Sequence, residues 1–593
     1  MFLRAHTRKK NGKMHRYFSV VENRRLSNGS STQRQVLYLG EINDSQEVTW
    51  RKTLSVFDEQ RQAPQNLALF PDDQPLPSDA LNAVQVKLDQ MRLKHPRAFG
   101  NCWLGCAVWR QLELDLFWRE KLGSARGEVP WEKVLELLVI NRLIDPGSEF
   151  RLHRQWFDRS AMDELLSADF AVASKDRLYR CLDLLSPHKD AVFKHLKQRW
   201  QDLFNAEFDV LLYDLTRTYF EGLCELIPKA QHGYSRDGRP DCRQVIIALI
   251  VTPDGLRLAY EIMPGNTSDK TTLPDFLKHI EERYGKARRT WVMDRGIPTE
   301  KVLTDMRAQK VQYLVGTPKG RLTKLEKSFL PKPWQAVREG VQVKLLEENG
   351  ELLVLARSAD RVQKEHAMRR KKLKKLYAGL QELLRQAPSR DHFLQKLGVL
   401  KHAAGRAVNL VEIIVPREKE NVSPETFRWK LRLAKFKTAA RRDGHYILRT
   451  NLSGEKPEVL WQRYIQLTEI EAAFKCLKSE LAIRPIYHQL EARVEAHIFV
   501  AFLAYALMAT LRKRLEIHAP GLTPQAVLQK LATIKLIDVW LPTSDGRWLI
   551  MPRYTQPEHD QQIVLGLLKM QLPPQPPPRI RAAQLRCKPS KRK

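Results

Sequence analysis

The sequence predicts a mixed α/β protein whose sheet is not doubly wound, preceded by a largely helical region, in a strongly basic chain. Three observations carry this. Between about 205 and 320, β-type runs and helical periods alternate as three antiparallel strands, helix, strand, helix, strand. From about 80 to 200 the apolar period is helical. The chain has 100 Lys and Arg against 68 Asp and Glu in 593 residues, a net charge of +32.

That length allows roughly three to five domains. Hydrophobic residues are 43% and charged residues 28%, which excludes a disordered chain. The positive excess attracts polyanions and points to nucleic acid; the plain alternative is a merely basic protein. Seven cysteines form no Cys-x-x-Cys pair, and Cys102 and Cys106 have no nearby partners to complete a zinc set. Free thiols in a reducing cytoplasm are the simplest reading. Met1 to Lys10 has no apolar stretch, so no signal peptide is expected. The uncharged run between Glu495 and Arg512 is sixteen residues, shorter than the ~20 that span a bilayer, and reads as a buried helix. No membrane partner is expected. No Gly-x4-Gly-Lys-Ser/Thr loop occurs, which argues against a nucleotide-driven motor.

In chain order, His15 to Glu22 and Arg34 to Leu39 read as strands around a polar Asn23-to-Thr32 loop, a small basic β unit over 1–50. Pro64 to Pro77 reads as a connection. In the helical region 51–204, Trp131 to Ile144 carries an apolar stripe and ends at Asp145-Pro146-Gly147. Ser174 is placed to cap a helix with an apolar back and a front bearing Lys175, Arg177 and Arg180. Such a helix suits a DNA groove, or is a solvated face.

Strands are expected at Val210–Leu215, Gln244–Thr252, Leu256–Met263, Thr290–Asp294 and Val311–Thr317, with helices at Thr271–Tyr284 and Thr299–Lys310. An inserted, β-rich domain is expected over 321–445. It holds a hairpin at Glu348-Asn349-Gly350, a basic helix from Val362 to Gln386, and strand-like runs Val408–Val415 and Phe427–Phe436. Residues 446–515 return to helix. Residues 516–593 are read as a partly helical region ending in a proline run and a basic tail that is expected to be disordered.

Two acids stand out. Asp214 lies inside an apolar strand, where a carboxylate is costly unless paired, and Asp294 sits at the mouth of another. On neighbouring strands they would face one another and call for a cation such as Mg²⁺. Tyr464, Glu471 and Lys478 are spaced by seven. Seven residues turn a helix through ~700°, so all three share a face. Satisfied core acids and a surface stripe are the competing structural explanations.

The segments Tyr213-Asp214-Leu215-Thr216, Gly265 to Asp269 and Met293-Asp294-Arg295-Gly296 resemble blocks of the DDE transposases of bacterial insertion sequences. Tyr464 to Lys478 resembles the Tyr-x2-Arg-x3-Glu-x6-Lys signature of the IS-four-like group. Ile470 to Ser479 and Arg484 to His488 resemble its sixteen-thirty-four branch, as do Gly233 to Asp237 and Arg239 to Asp241. The signature's Arg position is Leu467 here; Arg463 is near, but about 80° round the helix from Glu471.

The resemblance implies a ribonuclease H-like catalytic core, in two parts (205–320 and 446–515). It implies Asp214, Asp294 and Glu471 as catalytic ligands of two Mg²⁺ ions, with Mn²⁺ the alternative. Tyr464, Lys478 and Arg295 would contact DNA, and Trp334 or Trp429 would be candidates to stack on a flipped base. The implied activity is DNA transposition: binding terminal inverted repeats, cutting the element's ends and joining the 3′-hydroxyls to target DNA. A homodimer on double-stranded DNA in a bacterial cytoplasm is the implied assembly. A metal-dependent nuclease that never joins, a non-catalytic DNA-binding derivative and an RNA-processing enzyme remain as alternatives.

Overall fold

The computed structural model describes residues 2–10, 13–25, 31–41, 54–58, 63–67, 86–123, 129–235, 237–267, 278, 289–294, 298–317, 325, 328–418, 420–452, 454–543 and 546–581. The chain forms two compact units. One comprises Glu207–Arg217 and Lys229–Phe474; the other comprises Met1–Ala206, Thr218–Pro228 and Lys475–Lys593.

The first unit is built on one sheet of nine strands: β1 (Val210–Tyr219), β2 (Gln244–Val251), β3 (Arg257–Pro264), β4 (Thr290–Met293), β5 (Gln312–Thr317), β6 (Gln335–Arg338), β7 (Val341–Glu348), β8 (Glu351–Ser358) and β9 (His445–Thr450). Their spatial order is β6-β7-β8-β9-β5-β4-β1-β2-β3. β4 runs parallel to both β1 and β5, while β2 and β3 pair antiparallel. Every residue of β2 is buried, which explains its unbroken apolar composition: a strand covered on both faces does not alternate. Helix α1 (Glu300–Ala308) links β4 to β5, and the Thr299 hydroxyl accepts the Val302 N–H at its start. The expected helix Thr271–Tyr284 falls almost wholly outside the described residues, and so does Arg295.

The insertion takes a different form from a self-contained β-rich domain. Its strands β6 to β8 join β9 and extend the same sheet beyond β5. Both β5 and β8 pair antiparallel with β9, so an edge that would expose unpaired backbone groups is covered. A buried ionic group fastens this extension. Arg449 of β9 lies 2.5 Å from Glu351 of β8 and 2.7 Å from Glu300 of α1. The Tyr313 hydroxyl of β5 donates to Glu351 and accepts from Arg307 at 2.8 Å. The Asn349-Gly350 turn between β7 and β8 has φ of 53° and 74°, the left-handed pair that a two-residue hairpin requires.

The rest of the insertion is the hairpin of α2 (Ala359–Gln386) and α3 (Arg390–Ala404). Leu376, Leu380, Leu383, Phe393 and Leu397 form its core. A two-stranded sheet, Val411–Ile414 with Arg428–Leu431, packs on it. The strand expected to reach Phe436 stops at Leu431, and Leu433–Arg441 is helix; its Ala- and Lys-rich sequence favours that state. Helices α4 (Pro457–Ile465) and α5 (Leu467–Lys475) follow β9.

In the second unit, the helix Trp131–Ile144 packs on the helix Glu491–His518. The former is buried on nearly every side, Glu132, Glu136, Asn141 and Arg142 included, so its pattern is wider than the expected stripe. The latter is apolar enough to cross a membrane, but 94% of its apolar window is buried inside the protein, as expected of a core helix. Trp200 Nε1–H donates to Thr510 Oγ1 across this core at 2.9 Å.

The N-terminal strands Phe2–Lys10, Lys13–Arg25 and Ser31–Glu41 form an antiparallel sheet. Pro64 lies in a strand, Ala63–Leu67, paired with Leu54–Asp58. Arg579–Arg581, Trp548–Tyr554, Lys535–Pro542 and Arg92–Ala98 form a four-stranded sheet, so the region expected to be partly helical is also substantially β. The proline run is tied down: Arg553 Nη1 donates to the Pro576 carbonyl at 2.6 Å. Arg579 and Arg581 belong to the sheet, and the basic tail beyond them lies outside the described residues.

Candidate active site

Parallel register brings the two aspartates together. Tyr213 of β1 pairs with Met293 of β4. The next residue on each chain is therefore an aspartate, on strands ~4.8 Å apart. Tyr213 and Met293 are fully buried, and alternation turns Asp214 and Asp294 to the opposite face, where both are half-buried. The Leu215 N–H donates to Asp214 Oδ1 at 2.7 Å and helps to orient the carboxylate. Glu471, exposed on α5, lines the same cleft as both aspartates, a cavity of about 700 Å³. Three acids separated by as many as 257 positions thus share one opening.

The helical face predicted for Tyr464, Glu471 and Lys478 is only partly realised. The chain breaks between α4 and α5 at Gln466, yet Tyr464 and Glu471 still line the cleft. Rings hold Tyr464 there. It stacks on Tyr446 with centroids 5.9 Å apart, and the Tyr446 hydroxyl accepts from Trp461 Nε1–H at 2.6 Å. Lys478 falls in a π-type turn, Cys476–Glu480, of the other unit; the wider turn breaks the seven-residue register. Leu467 lines the cleft, whereas Arg463 pairs with Glu455 at 3.2 Å.

Other cations line this opening: Arg338 of β6, and Arg361 and Lys364 of α2. The sequence showed a basic helix but not which of its turns meets the carboxylates. Trp334 packs beside Leu325 and Phe329 under the Lys344 ammonium, and Trp429 sits against Phe427 in the hairpin core; both serve packing.

In the second unit, Ser174 occupies the N-cap position of helix Lys175–Asp183 without a side-chain cap bond. Lys175 and Arg180 line a smaller cavity with Tyr179 and Arg493. Arg177 turns back into its own unit, donating to the Val129 carbonyl at 2.6 Å with its guanidinium 4.7 Å from the Trp131 ring. Its position on the predicted basic front does not carry over to the fold. Arg493, missed from sequence, is held by Asp183 at 2.8 Å.

Among the described residues, Glu149, His488 and His497 are buried donors gathered within 4.8 Å of one another. His497 Nδ1 lies 3.3 Å from the Arg142 guanidinium, and its Nε2 lies 3.2 Å from the Ile483 carbonyl. Both ring nitrogens of His497 are engaged, one of them beside a guanidinium. This trio is better described as a hydrogen-bonded core network. Burial, with Arg142 nearby, pushes the His497 pKa well below the ordinary value.

Asp214, Asp294 and Glu471 offer carboxylates to the 700 Å³ cleft, hard oxygen ligands suited to divalent ions such as Mg²⁺ or Mn²⁺. A mixed α/β sheet carrying three acids in one cleft is an arrangement with the chemistry to hold a divalent ion. Residues 209–507 match the family model described as a transposase DDE domain, and the chain belongs to that family. No curated protein matches. A solved structure titled "Cryo-EM structure of piggyBac transposase synaptic complex with hairpin DNA" is 10% identical, with a TM-score of 0.31, covering 74% of this chain and 87% of that one.

Proposed function

We propose that this protein is a DNA transposase of the IS-four-like group, near its sixteen-thirty-four branch, with Asp214, Asp294 and Glu471 as its catalytic carboxylates. The observation that carries the reading is their convergence on one cleft, in family order along the chain. The arrangement β3-β2-β1-β4-β5 supports a ribonuclease H-like core: β2 and β3 paired antiparallel at one side, then β1, β4 and β5 as parallel neighbours.

The three acids would hold two Mg²⁺ ions, with Mn²⁺ the alternative. When bound, such ions activate the attacking oxygen and neutralise charge on the leaving oxygen. Tyr464 and the cleft's cations position the phosphodiester. Water first attacks phosphorus at the element's end and releases a 3′-hydroxyl. That hydroxyl then attacks a target phosphorus and displaces a target 3′-oxygen, so one P–O bond forms as another breaks. No side chain serves as nucleophile. Lys175, Arg180 and Arg493 contribute backbone contacts to the inverted repeats, and Lys478 contributes a phosphate contact. Two ends joined in one reaction imply a homodimer on DNA.

The test uses a labelled duplex carrying the element's end, with Mg²⁺ or Mn²⁺. Replacing Asp214, Asp294 or Glu471 by Ala should slow cleavage on the order of 10³-fold, about 4 kcal/mol of barrier. Undiminished cleavage by Asp214→Ala refutes the assignment. A precut end that is never joined to target would make the protein a nuclease instead.

A further inference from the structure

Four residues of α2 line the carboxylate cleft besides Asp360: Arg361, Lys364, Glu365 and Met368. They are spaced i, i+3, i+4 and i+7, so the first two turns of this 28-residue helix present one continuous face to the opening. The same face continues with Lys371, Lys372 and Lys375, all exposed. From Lys364 to Lys375 is eleven residues, ~16 Å of helix.

The cations at the mouth differ in how they are held. Arg361 lies 4.8 Å over the Tyr446 ring and 3.2 Å from Glu365. Arg338 lies 4.6 Å over the Trp461 ring. Trp461 and Tyr446 are buried and hydrogen-bonded to each other, so both guanidinium planes rest on a rigid floor. Lys364 is exposed and lines the cleft, with no partner among the described residues. A cleft with three catalytic acids repels a polyanion unless cations guide it in. Here those cations come from one direction, the start of α2 and the end of β6.

We propose that the basic face of α2 is a track for one DNA backbone. Arg361 and Lys364 hold phosphates at the mouth of the carboxylate cleft, and Lys371 and Lys375 hold phosphates farther out. This rests on the transposase reading and adds the route by which DNA reaches the site. A helix side carrying cations one to two turns apart recognises backbone rather than bases, so the contacts are independent of sequence.

The experiment measures full-length protein binding to a 30-base-pair duplex without divalent ions, by fluorescence anisotropy from 50 to 300 mM KCl. Each phosphate contact contributes ~0.9 to the slope of log affinity against log salt. Lys364→Gln should lower the slope by about one and weaken binding at 100 mM salt by roughly 5- to 10-fold. Lys371→Gln with Lys375→Gln should lower it by about two. Lys364→Arg should keep the slope, and Lys401→Gln, on the exposed side of α3, should leave it unchanged. Wild-type slopes in both the Lys364→Gln and the double variant overturn the track while leaving the Asp214→Ala cleavage test standing. A wild-type protein with no salt-dependent affinity for the duplex overturns both. These exposed lysines carry no core contacts, and unchanged thermal melts of the variants confirm that a lost slope is not a lost fold.

Discussion

Glu136 shows how one side chain sets a pH dependence. It is buried in the helix Trp131–Ile144, and burial pushes its pKa up to about 7, with Arg110 and a Cys106 hydrogen bond only partly offsetting this. The folded state therefore favours the protonated acid. The stability this allows is full below the ordinary carboxylate range and is lost as pH rises through about 7. Glu136→Gln should raise the melting temperature at pH 8 and leave it nearly unchanged at pH 5; an equal shift at both would show that ionisation is not the cause. Glu149 has the opposite sign. Burial alone would raise its pKa, but the hydrogen bond and charge of His488, with His497 and Arg142, bring it down to about 2. Its contribution is present above the ordinary range and fades as pH falls toward that value. That Asp214 and Asp294 would neighbour one another was legible from sequence, because an acid inside or at the end of an apolar run is a local signal. Arg177 was misread because charge pattern alone does not reveal that a neighbouring Trp131 and a backbone carbonyl will capture it.

At the level of elements, local chemistry made the short pieces readable. Thr299 marked the start of α1, and Asn349-Gly350 marked the β7–β8 turn. A Cβ at Gly350 meets nothing within 4 Å, so Gly350→Ala should cost only the left-handed backbone conformation, about 1 kcal/mol by chemical denaturation. What the sequence could not convey was partnership. Nothing local says that β9 lies between β8 and β5, because that depends on pairings made across 88 to 136 positions. The buried group around Glu351 shows how strongly they are joined. Glu351→Ala should cost roughly 3–5 kcal/mol in urea unfolding, because it leaves Arg449 buried beside a cavity with half its counter-charge gone. A loss below about 1 kcal/mol would mean that water enters and replaces the carboxylate. The placement of Arg361 and Lys364 was hidden for the same reason, since their helix meets the carboxylates only after those strands have paired.

Over the whole molecule, neither unit is one stretch of chain: the backbone passes between them at 206, 217, 228 and 474. The N-terminal helical region consequently lacks its own central helix, Glu491–His518. The strand Arg92–Ala98 likewise depends on Lys535–Pro542, more than 430 positions later. No window-by-window reading could have found that sheet. A fragment of residues 86–206 should be unfolded by circular dichroism and should gain structure when co-expressed with residues 475–581. A fragment that melts cooperatively alone would contradict this dependence. The hairpin of α2 and α3 is organised differently, with a core of its own and its exposed tip at Ala387. That tip is a natural attachment point. A dye or affinity handle grafted there would ride on a self-supporting arm whose root enters the carboxylate cleft, and so would report anything that enters the cleft while leaving its three acids untouched.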